Sequence, residues 1–123
     1  MKIVSLLLAD KVAVDENTKK VSIDGVFNLI NVSGLPAKHK EFFVFIVVEG
    51  QAGKHRFDIK VKKGPSIIVS TDQEFETGSR HYFISTFKDL IFHEAGTYEV
   101  VASVNGDSMS SLLEVKVNSQ NLN

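Results

Sequence analysis

Between Glu41 and Glu49 the chain places Phe42, Phe43, Val44, Phe45, Ile46, Val47 and Val48 in an unbroken apolar run of β-branched and aromatic side chains. A membrane span needs about 20 apolar residues, and a surface helix shows a single apolar stripe, so the run suits neither. It suits a central β-strand that is apolar on both faces. Residues 3–9, from Ile3 to Ala9, have the same character. Elsewhere, short segments rich in Val, Ile and Phe alternate with polar turns, and no window carries a 3.6-residue apolar period. The expected fold is therefore all-β: a two-sheet immunoglobulin-like sandwich of about nine mostly antiparallel strands. Residues 1–117 would form one domain, followed by a flexible polar tail at 118–123.

Further along, two dipeptides carry the strongest turn chemistry. Asp24-Gly25 and Asn105-Gly106 both suit a type I′ turn, whose two central residues need positive φ. The first predicts a hairpin between strands at 20–23 and 26–32, with Val21, Ile23, Val26, Ile30 and Val32 on one side and Asn28 as an unexplained polar exception. The second predicts a hairpin between 98–104 and 109–117. The first strand is expected to kink at Asp10 and resume over 12–14, and Ser33 to Lys40 reads as a crossing loop. At 55–62, Phe57, Ile59 and Val61 alternate with Arg56, Asp58, Lys60 and Lys62, so one face of that strand should be wet. A short strand at 67–70, a polar connection over 71–80 and a strand at 81–88 complete the expectation.

The 14 basic and 15 acidic residues give a net charge of −1, so no global field attracts nucleic acid or an anionic membrane. The absence of cysteine fits a reducing interior, and the expected location is cytoplasmic. Lys2 and the apolar run after it are too short, and too interrupted by Ser5, for a secretory leader; a buried first strand is the better reading.

Two resemblances enter on particular residues. Glu94-Ala95-Gly96-Thr97-Tyr98 resembles the tyrosine corner of immunoglobulin-like domains, in which a glycine permits a tight turn and the tyrosine hydroxyl bonds back to upstream backbone. Val100 stands where antibody domains have a cysteine, and there is no tryptophan, so the likeness is one of architecture. Residues 6–27, together with Leu35-Pro36-Ala37 and the final Gly-x-Tyr hairpin, are similar to a family of small uncharacterised bacterial proteins, a domain of unknown function. That resemblance implies a short, intact bacterial protein and supplies no site residues.

Catalytic signatures are missing from the pattern. No serine lies in a nucleophile elbow, the glycines serve turns, and His39, His55, His81 and His93 are too widely spaced for a metal motif. The expectation is a non-enzymatic protein with no cofactor and no bound metal. The densest charge feature is the basic face of Arg56, Lys60 and Lys62, a candidate contact for an anion or a partner. Asp58 interrupts it and Phe57 points the other way, so it reads first as a solvated face that protects a strand edge, and nucleic acid is disfavoured as a partner. The doubly apolar strands are more informative, because something must cover their outer faces. Cover would come from the chain's own segments at 71–80 or 88–95, or from an unknown protein partner or a second copy. The leading functional expectation is a binding or assembly module acting through protein contacts. Its rival is a small-molecule or nucleic-acid binder that uses the basic face.

Overall fold

The structure, a computed structural model, describes residues 1–118. Those residues form nine strands: β1 (Lys2–Val14), β2 (Val21–Val26), β3 (Leu29–Val32), β4 (Ala37–Glu49), β5 (Gly53–Lys63), β6 (Ser66–Thr77), β7 (Arg80–Phe92), β8 (Gly96–Val104) and β9 (Asp107–Val117). They make two sheets, one ordered β2-β1-β4-β7 and the other β3-β9-β8-β5-β6. Every pairing is antiparallel except that of β3 with β9.

The sheets face each other through alternate positions. Leu8 of β1 and Phe42, Val44, Ile46 and Val48 of β4 pack in one core with Phe57, Ile59 and Val61 of β5, Val100 and Val104 of β8, and Leu113 and Val115 of β9. Each such side chain contributes about 1.5–3 kcal/mol when fully withdrawn from water. β4 is central, as its apolar run implied. β8, the penultimate strand, lies between β5 and β9 and starts at the tyrosine corner, which is the immunoglobulin-like placement.

The first expected hairpin is not formed. Asp24 and Gly25 lie within β2, which runs antiparallel to β1 with Val26 opposite Ala9 and Asp24 opposite Lys11. The polar stretch 15–19 makes the turn between β1 and β2, where Asp15 Oδ1 accepts the N–H groups of Asn17 at 2.8 Å and Thr18 at 3.0 Å, and Lys19 takes a φ of 61°. Gly25 has a positive φ of 70°, and a Cβ there would lie 2.5 Å from Oδ2 of Asp10, so both conformation and space favour glycine. Phe27 N–H then donates to the Leu8 carbonyl at 3.0 Å, while the Asn28 carbonyl accepts from Glu114 N–H at 2.9 Å. The chain thus changes sheets at Asn28, and the residues expected on one hairpin face belong to two sheets.

Other boundaries also move. β1 holds its register through Asp10, and its irregularity lies between Ile3 and Ser5. β4 begins at Ala37, inside the expected loop. The 71–80 connection is mostly strand, because Thr71, Gln73, Phe75 and Thr77 alternate with Asp72, Glu74 and Glu76 at the period of two that a strand requires. β7 continues to Phe92, which is fully buried. Asn118 extends the edge of the fold by donating its N–H to the Val32 carbonyl at 2.7 Å. The rest of the expected tail, 119–123, lies outside the described residues.

The second expected hairpin is formed as anticipated. Val104 is opposite Asp107 across Asn105 (φ 47°) and Gly106 (φ 84°), both in the left-handed region that type I′ demands.

Candidate functional site

The two sheets present unlike outer faces. On the β3-β9-β8-β5-β6 sheet, alternation along β5 turns Arg56, Asp58, Lys60 and Lys62 outward, since Phe57, Ile59 and Val61 are buried. The three basic candidates do share one face. They are not alone on it: the register sets Glu74 opposite Arg56 and Asp72 opposite Asp58 on β6, and Glu99 opposite Lys62 on β8. Arg56 is held by Asp72, with Nε 3.0 Å from Oδ1 and Nη2 3.2 Å from Oδ2. That hydrogen-bonded pairing raises the Arg56 guanidinium above its ordinary value. Lys60 Nζ lies 3.8 Å from Asp58 Oδ2. Cations and carboxylates are therefore interleaved, and the field at this face is mixed in sign.

On the β2-β1-β4-β7 sheet the outward positions around Phe45 are apolar, with Ser5 and Thr86 beside them. Because Leu8, Val44 and Phe83 point inward, the register brings Leu7 beside Phe45 and Phe45 beside Ile84, with Val47 next to Tyr82. Phe43 and Val26 flank Ala9 on its two sides. The rings of Phe45 and Tyr82 lie 5.7 Å apart. Val26 is 59% exposed and Tyr82 36%. Residues 71–77 are built into β6 and 88–92 into β7, so neither expected covering segment lies across this face. Cross-strand ion pairs stand toward its ends: Arg80 with Glu49 at one, Lys88 with Glu41 and Lys38 with Asp89 at the other. An apolar centre between polar ends is the anatomy of a protein interface.

Tyr82 and Ile84 did not stand out in the sequence. Their signal was the irregular apolar phase of 81–88, which is what a strand with apolar residues on both faces produces.

The structural candidates take the expected roles, apart from Gly25. Tyr98 is buried, its hydroxyl donates to the Glu94 carbonyl at 2.7 Å, and its ring meets Phe92 edge to face at 5.0 Å. Burial pushes its phenol above the ordinary value. Gly96 has a φ of 122° and approaches Lys63, whose Cε would lie 3.3 Å from an added Cβ.

The four histidines are dispersed. His39 packs against Phe27 and Phe42, and His81 against Phe83. The ring of His55 bonds the Gln51 carbonyl through Nε2 at 2.7 Å and the Asn105 side-chain amide through Nδ1 at 2.5 Å, tying two loops together. His93 shares a recess with Lys63, Glu94 and Tyr98. Among the described residues, no three His, Asp or Glu side chains converge in a metal-holding group. A cavity of about 30 Å³ between the sheets, lined by Phe57, Phe75 and Phe83, has room for about one water. No helix among the described residues is long and apolar enough to cross a membrane.

Against known proteins, residues 4–117 match the model of a family of unknown function, DUF6941, and the chain belongs to that family. No curated protein matches it.

Proposed function

We propose that this DUF6941 protein is a non-enzymatic, cytoplasmic binding or assembly module that docks protein partners on the outer face of its β2-β1-β4-β7 sheet. The observation that carries this reading is the asymmetry of the sandwich. One outer face has cations and carboxylates interleaved along β5 and β6, with Val101 and Leu112 beside them. The other has half-buried Leu7, Phe43, Phe45, Val47 and Ile84 grouped around exposed Tyr82. Contiguous exposed apolar patches on soluble domains mark surfaces that another molecule covers. Aromatic residues at such a patch supply rigid contact area at low entropic cost.

The test is a comparison of the full chain with its Phe45→Lys variant as bait in a lysate of the native host. Phe45 points away from the core, so the substitution spares the packing and its lysine stem can lie along the sheet. The expected result is a specific partner retained by the wild type and lost by a variant with an unchanged unfolding midpoint. Identical retained proteins for both chains would overturn the reading.

A further inference from the structure

Four strands form the edges of the two sheets: β2, β3, β6 and β7. Natural sheets prevent their edges from pairing with other chains by brevity, by charge, or by bulges and twists. Three of these edges use such devices. β2 has 6 residues and is bent by Gly25 at a φ of 70°. β3 has 4 residues. β6 carries Asp72, Glu74 and Glu76 at alternate positions, and its pairing with β5 shifts register between Val61 and Lys62.

β7 has such devices only toward its ends, Arg80 at one and Lys88 with Asp89 (φ 55°) at the other. It has 13 residues, and its stretch Tyr82-Phe83-Ile84-Ser85-Thr86-Phe87 contains no charge, glycine or proline. Its register against β4 is unbroken over that stretch. A long, regular, uncharged edge of aromatic and β-branched residues has the composition of a strand that pairs. It also borders the apolar outer face.

We propose that β7 pairs antiparallel with β7 of a second copy of this chain, about a two-fold axis at Ser85. The proposal deepens the docking reading above, because it sets two apolar faces side by side on one continuous eight-stranded sheet. The strand's self-complementarity points to a second copy and sets its register. A two-fold axis normal to the sheet keeps outward residues outward only when it passes through a residue position rather than between two. The uncharged stretch is centred between Ile84 and Ser85, so those are the two positions that overlap it most fully. Centring on Ile84 crowds Arg80 against the second copy's Lys88, two cations that Glu49 and Glu41 already hold within each chain.

Centring on Ser85 removes that clash. Tyr82 then faces the second copy's Lys88, a cation against an aromatic ring; Phe83 faces Phe87, and Ile84 faces Thr86. Each pair occurs twice, as an isologous interface requires.

Sedimentation velocity on the full chain, from about 1 to 500 µM, tests this. The expected result is a dimer that Tyr82→Lys weakens by about tenfold or more, since it opposes two lysines twice. Adding Lys88→Glu to Tyr82→Lys, with Glu41→Gln to remove the carboxylate on β4 that the introduced glutamate would otherwise oppose, should restore the dimer, because each introduced ammonium then meets an introduced carboxylate. Phe45→Lys should leave the dimer intact, because β4 is not an edge; its effect is confined to the docking face. A monomer at the highest concentration, or a Tyr82→Lys dimer that the combined Lys88→Glu and Glu41→Gln changes do not restore, would overturn the edge pairing without touching the lysate comparison. Dissociation by Phe45→Lys would also overturn it, in favour of face-to-face contact.

Discussion

The hydroxyl of Tyr98 donates to the backbone carbonyl of Glu94 at 2.7 Å, closing the turn that carries the chain from β7 in one sheet to β8 in the other. Gly96, between them, supplies the φ of 122° that the turn needs. Tyr98→Phe keeps the ring against Phe92 and removes only the hydrogen bond, so urea unfolding should show a loss of about 1 kcal/mol. The phenol also sets an alkaline limb. Its folded pKa is raised by burial, so the protonated form is favoured by folding. That contribution is complete below the unfolded value of about 10 and is lost as pH rises through the folded value. Tyr98→Phe should flatten that loss in an unfolding series above about pH 9.

Two glycines separate steric from conformational cost. Gly106 has a φ of 84° with nothing within 4 Å of where a Cβ would stand, whereas Gly25 has a φ of 70° and Asp10 Oδ2 only 2.5 Å from that point. Gly106→Ala should therefore cost only the left-handed penalty, about 1–2 kcal/mol. Gly25→Ala should cost more, and adding Asp10→Ala should bring it back toward the Gly106→Ala value. Chemical denaturation of the three variants measures both terms. Equal losses for the two single variants would mean that Asp10 swings aside at no cost.

These glycines also show why part of the fold is legible in the sequence and part is not. Asn105-Gly106 makes its expected turn because Val104 and Asp107 pair immediately across it, so the decision is local. Asp24-Gly25 has comparable turn chemistry, yet β2 pairs backward with β1 through the turn that Asp15 caps, and Leu8 and Glu114 then draw the following residues across to the other sheet. Those partners are remote in sequence, and no dipeptide propensity encodes them. The basic face was legible from alternation on β5 alone. Its carboxylate counterparts were not, because Asp72 and Glu74 sit in a stretch whose polarity suggests a connection. The doubly apolar runs announced an outer face in need of cover. Only the incorporation of 71–77 and 88–92 into edge strands showed that those segments do not cover it.

Interleaved charge on the β5 face has a direct consequence for anionic ligands. With Arg56 bound to Asp72 and Lys60 beside Asp58, a polyanion would meet Asp58, Asp72 and Glu74 among the cations. The chain should pass through a heparin column without retention at about 50 mM salt. Asp72→Asn frees the guanidinium and should introduce weak, salt-sensitive retention with little change in stability, since an exposed, solvent-screened pair contributes little. Retention of the wild type that Lys60→Glu abolishes would instead establish the face as an anion site.

A single hydrogen bond joins the two sheets near the start of β1. The carboxylate of Asp107, the first residue of β9, accepts the Ile3 N–H at 2.9 Å, beside the register break between Ile3 and Ser5. β2 pairs with β1 only from Ala9 onward, so Asp107 supplies the acceptor for this partly buried donor, and such a donor without a partner costs about 1–3 kcal/mol. Asp107→Ala should lose that amount. Asp107→Asn retains a carbonyl oxygen in the same place and should recover most of it, because the requirement is for an acceptor rather than a charge. Amide exchange at Ile3 reads the bond itself: protection should fall in Asp107→Ala and persist in Asp107→Asn, and equal protection in both would show that this N–H finds another acceptor.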